Sequence, residues 1–118
     1  MNKPSYGDRD PVAAPATPLG ESALALIRTS GENTLDLLAR VFSRPKKLRS
    51  ARPNSIVHGW IVTESAEKID EVLISVYRAP SSYTGEDGAD ISCHGGIATV
   101  NAVMAALNWA GSRSFWCP

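Results

Sequence analysis

Apolar and polar residues alternate along Ser55 to Thr63 (SIVHGWIVT) and again along Ile69 to Tyr77 (IDEVLISVY), which predicts two strands. The polar link SAEK between Glu64 and Ile69 is short enough to make them a hairpin. Ala23 to Arg28 (ALALIR) reads as a further strand, as does Pro11 to Thr17, although Pro11 and Pro15 weaken it. The period then lengthens. Leu35, Leu38, Val41 and Phe42 share one face of a helix expected from about Glu32 to Phe42, with Ser30 placed to cap its start. Ile97, Val100, Val103, Met104 and Leu107 give a second helix over Ile97 to Asn108. Asp90 to Cys93 is a short strand, Ile91 and Cys93 on one side and Asp90 and Ser92 on the other. The expectation is α+β: a single small domain with a mixed or antiparallel sheet and two helices.

Composition narrows the choice only a little. A chain of 118 residues holds one domain with a modest core. Twelve basic and twelve acidic residues cancel, which argues against a strong general nucleic-acid binder. Six of the twelve basic residues nevertheless fall between Arg40 and Arg52 (RVFSRPKKLRSAR). A solvated loop over Ser43 to Asn54 is the plainer reading of that run, and a nucleic-acid phosphate contact the sharper one. Two cysteines, Cys93 and Cys117, make no disulfide framework. The polar start MNKPSYGDRD lacks the apolar core of a signal peptide, and no apolar run reaches membrane-spanning length. A cytoplasmic protein, without membrane contact, is the expectation. Residues 1–9 read as a flexible arm.

Chemistry concentrates in Pro80 to Gly96, PSSYTGEDGADISCHGG. A loop carrying Tyr83, Glu86 and Asp87 leads into the short strand, a Cys-His pair and a double glycine that opens the second helix. Gly95-Gly96 serves as a tight strand-to-helix turn, or leaves backbone N–H groups for a ligand oxygen. Cys93 and His94 invite a nucleophile reading, but neighbours on a strand point to opposite faces, which makes Cys93 a core residue. Zinc on Cys93, His94, His58 and Cys117 lacks the closely spaced ligand pairs of zinc modules, so no metal is expected.

This segment resembles the N-terminal domain of the tRNA-modifying GTPase family MnmE, also called TrmE. The earlier stretch DPVAAPATPLGESALALIRTSG resembles the start of the same domain, through Ala14, Ala16-Thr17-Pro18, Gly20, Ile27-Arg28 and Ser30-Gly31. Ile69-Asp70-Glu71-Val72 and Ala79-Pro80 match between the two. The resemblance covers about Asp10 to Leu107, which sets a domain at 10–108 and a divergent tail at 109–118. It implies a fold similar to folate-binding aminomethyltransferase domains. It also implies a tetrahydrofolate cofactor (formyl- or methylene-tetrahydrofolate), a homodimer, a flavin-dependent partner MnmG (GidA), and tRNA wobble uridine as the target of the full-length complex.

Folate presents an amino group beside a ring N–H, which one carboxylate can accept together, and a carboxylate tail, which suits arginine. The family's site arginine and acid correspond to Arg28 and Asp90. The acid is usually glutamate, so Asp90 departs by one methylene. Tyr83, Glu86, His94, Gly95 and Gly96 are supporting positions. For each the plain alternative stays open. Arg28 could pair with Glu21 or Glu32, Asp90 could bond a neighbouring loop, His94 could tie the glycine turn, and Tyr83 could pack or stack. No residue stands out as a catalytic nucleophile.

The chain contains no GxxxxGK[ST] loop, so GTP hydrolysis by it alone is not expected. The ending WAGSRSFWCP lacks the family's Pro-Gly-Glu-Phe segment with its folate-site lysine. The resemblance thus implies a truncated or frameshifted relative diverging near Ser114, without the helical and GTPase domains. The alternative function is a non-catalytic dimerisation or interaction remnant that has lost folate.

Overall fold

A computed structural model describes residues 11–15, 24–79, 85–111 and the backbone of 113–114. Tyr83 and Cys117 lie outside these residues, as do Glu21 and half of the divergent tail. The elements run β1 (Val12–Pro15), β2 (Leu24–Ser30), α1 (Thr34–Ala39), α2 (Pro45–Arg49), β3 (Ser55–Val62), β4 (Lys68–Tyr77), β5 (Gly88–His94), α3 (Ile97–Ala110) and β6 (Arg113–Ser114).

The strands form one sheet in the order β3-β4-β5-β2-β1-β6. Every neighbouring pair is antiparallel except β1 with β6. The α+β class read from the periodicity is the class observed.

Register explains the core. Val57, Ile74, Ile91 and Ile27 stand directly opposite one another across four strands. All four are buried, with Leu35, Leu38, Val100, Val103, Met104 and Leu107 from the helices buried with them. A row of side chains on one sheet face therefore packs under the helical layer, where each large side chain contributes about 1.5–3 kcal/mol by leaving water. One residue along, the pleat turns the other way. Ile56, Ser75, Asp90, Arg28 and Ala14 form the matching row on the opposite face. No helix among the described residues covers that face. Leu24, Ile56 and Leu73 stand exposed on it, at 63%, 65% and 47%.

Two local expectations are corrected. Helix α1 spans only Thr34–Ala39, and Ser30 does not cap it. Ser30 ends β2, and Asn33, at φ 66, takes the cap position with no side-chain bond. The helix stops early because the N–H groups of Arg40 and Val41 donate back only three residues, to Leu37 and Leu38. The chain then turns to the sheet: Val62 N–H donates to the Val41 carbonyl and Phe42 bridges Ile61. Val41 and Phe42 are buried as expected, but beyond the helix. Second, the basic segment Ser43 to Asn54 is not all loop. It contains α2, a third helix, with Pro45 at its first position and Leu48 fully buried.

Candidate functional site

β2 and β5 lie side by side, and their register sets Arg28 opposite Asp90 on the open face. The guanidinium meets the carboxylate with both arms: Nε donates to Oδ1 at 3.0 Å and Nη2 to Oδ2 at 3.2 Å. From β4 the Tyr77 hydroxyl adds a bond to Oδ2 at 3.3 Å. The carboxylate is nearly buried, at 9% exposure, and the arginine side chain half exposed, at 50%. Shielding on the acid side strengthens these bonds relative to an exposed ion pair. Ser30, one turn of the pleat beyond Arg28, donates to Glu86 Oε2 at 3.3 Å.

Asp87 holds the loop before β5. Its carboxylate accepts the Ala79 N–H at 2.8 Å and its carbonyl accepts the Gly31 N–H at 2.9 Å. The ends of β2, β4 and β5 thus meet at one point. Beside them an open pocket of about 280 Å³ is lined by Glu32, Ala79, Gly85, Glu86 and Asp87. Among the described residues its lining carries three carboxylates, Glu32, Glu86 and Asp87, and no basic side chain, which suits a ligand edge rich in N–H donors.

His94 ends β5 away from Asp90. Its Nδ1 lies 2.7 Å from Asp70 Oδ1, and its backbone N–H donates to Asp70 Oδ2 at 2.8 Å. The ring is 61% exposed and the Asp70 side chain 11%. Asp70 therefore fixes both the histidine and the entry to the glycine turn. Gly96 has φ 112, an angle that a side chain disfavours, and no side chain caps α3 after it.

Cys93 is buried and its thiol faces the Ala25 carbonyl at 3.6 Å. Burial, and next the charge of Asp70, push its pKa up from 9.0 to about 11. A thiol held protonated in this way is no nucleophile at neutral pH. Among the described residues no three His, Cys, Asp or Glu side chains are grouped to hold a metal.

The structure thus brings Arg28 and Asp90 into contact, with Glu86 near them beside Ser30. It sets His94, Gly95 and Gly96 apart at the other end of β5. Sequence reasoning passed over Tyr77, and it named Asp87 and Asp70 without their roles. Strand phase held a signal for two of them. Asp70 is a carboxylate in step with inward-facing Val72, Ile74 and Val76, and Tyr77 is in step with Ser75 on the site's own row.

The molecule is a small α+β domain with one sheet face free of helices among the described residues and an ion-paired site where three strand ends converge. A family model described as the GTP-binding protein TrmE N-terminus matches residues 11–114, and the chain belongs to that family. It is 48% identical over 110 residues to a tRNA modification GTPase MnmE of Treponema denticola, covering 92% of this chain. It is 44% identical over 114 residues to that of Treponema pallidum (97% of this chain) and 41% over 107 residues to that of Bacillus licheniformis (88%). The chain spans about a quarter of these relatives, 23% of the length of each. Among the described residues no helix is long and apolar enough to cross a membrane.

Proposed function

We propose that this domain holds a tetrahydrofolate derivative as part of a tRNA-modifying GTPase. The carrying observation is the Arg28–Asp90 pair with the Tyr77 hydroxyl on its shielded side. Asp90 and the acidic pocket at the strand ends match the N–H-rich edge of a pterin, and Arg28, half in solvent, suits a carboxylate of the same ligand. When bound, folate supplies the one-carbon unit, and this chain's residues bind and orient it. Tyr83, Glu86, His94, Gly95 and Gly96 are supporting positions in this proposal. The proposed setting is the cytoplasm, in a homodimer that works with MnmG on tRNA.

Titration of the 118-residue chain with 5-formyltetrahydrofolate, followed by tryptophan fluorescence, tests the reading. Saturable binding is expected. Arg28→Ala and Asp90→Ala should each weaken it by about tenfold or more, the loss of one charge-assisted bond pair. Binding unchanged in both variants refutes the assignment.

One observation favours a second reading, a dimerisation module without folate. Leu24, Ile56 and Leu73 expose apolar surface on the uncovered sheet face, which a second copy would bury. A dimer by sedimentation, with no fluorescence response to the ligand, would select it.

A further inference from the structure

The six basic residues of Arg40 to Arg52 lie in a stretch, Leu37 to Thr63, that contains no Asp or Glu. The remaining six share the rest of the chain with all twelve carboxylates. A molecule of zero net charge is thus divided into a basic part and an acidic part. The fold makes the basic part a fixed platform. Leu48 anchors α2 in the core. Arg78, at the end of β4, donates to the carbonyls of Arg49 at 2.7 Å and Ala51 at 3.0 Å. On the other side Ser43 is tied to Trp60 of β3 by its N–H at 2.9 Å and its Oγ at 2.9 Å. Arg44, Lys46, Lys47, Arg49 and Arg52 all stand exposed on this platform. Arg49 is engaged by Asp36 at 3.2 Å, which leaves Arg44, Lys46, Lys47 and Arg52 as the main charges offered.

We propose that this platform binds the phosphate backbone of an RNA. Among the described residues the large hydrophobic side chains that stand exposed are Leu24, Ile56, Leu73, Ile97 and Trp109, none of them between Arg40 and Asn54. Protein interfaces are depleted in lysine and centred on buried apolar or aromatic residues, and membrane-surface helices need an apolar face. A lysine- and arginine-rich surface with neither suits phosphates, where affinity comes from released counterions. The proposal goes beyond folate binding and does not depend on it.

Fluorescence anisotropy of a labelled 17-nucleotide RNA stem–loop with the full 118-residue chain, across a potassium chloride series, is the test. Affinity is expected to fall with salt with a slope equivalent to about four phosphates, at roughly 0.7–0.9 per phosphate. Lys46→Gln/Lys47→Gln is expected to weaken binding about tenfold and to lower the slope by roughly 1.5. Both lysines are exposed, so an unchanged circular dichroism melt is expected to accompany that loss. A slope near zero, or wild-type affinity in the double variant, overturns the proposal. Equal affinity for polyglutamate overturns the RNA assignment in favour of an acidic protein partner. Folate titration of the same double variant separates this result from the cofactor reading, because neither lysine lies in the ligand site.

Discussion

At the scale of single residues, burial decides which titratable groups matter. Cys93 has the form of a reactive residue, next to a histidine and near an aspartate, yet it sits on the covered face and its thiol is pushed up to about 11. Iodoacetamide at pH 7.5 is therefore expected to leave Cys93 unmodified in the native chain and to label it once urea unfolds the protein. Peptide mass mapping reads the outcome. The same shift predicts a pH dependence. Below pH 9 the thiol is protonated both folded and unfolded, and its contribution to stability is complete. Between about 9 and 11 the unfolded chain releases the proton first, so stability falls as pH rises, by at most about 1.4 kcal/mol per pH unit. Cys93→Ala, itself less stable at pH 7, should show a shallower decline over that window in urea titrations.

At the scale of elements, the long strands and α3 were legible, and the short elements α2 and β6 were not. Each of β3 and β4 shows its alternation because one face is covered and the other is not, which is the condition under which a period of two survives in sequence. Helix α2 left no such trace, since a five-residue helix with one buried side chain, Leu48, has no period to read. Helix α1 was overextended because Val41 and Phe42 continue the apolar spacing while the backbone has already turned toward β3. That same crossing explains Gly59. A Cβ there would run into the Phe42 ring and approach Ser43 Oγ to 3.0 Å. Gly59→Ala should cost about 1–3 kcal/mol through overpacking, seen as a lower urea midpoint with an unchanged m-value. In the candidate site, Arg28 and Asp90 were found through resemblance, but their direct contact could only come from register. Asp87 stayed hidden because its task is to join main-chain ends remote in sequence.

At the scale of the whole molecule, one sheet separates a packed side from an open one. If two copies meet through the open side, Leu73→Glu should shift the sedimentation coefficient toward the monomer. Because Leu73 is 47% exposed, the change should alter the melting of the monomer little, within about 0.5 kcal/mol. Persistence of the dimer in that variant places the contact elsewhere. Strand β3, at one edge of the sheet, carries a further consequence. The connection leaving α1 bonds along β3 at Trp60 and Val62, so half of that border is already occupied by the chain itself. Among the described residues only the Ser55–His58 half of this border remains for an incoming strand, too short a template to recruit one neighbour after another there.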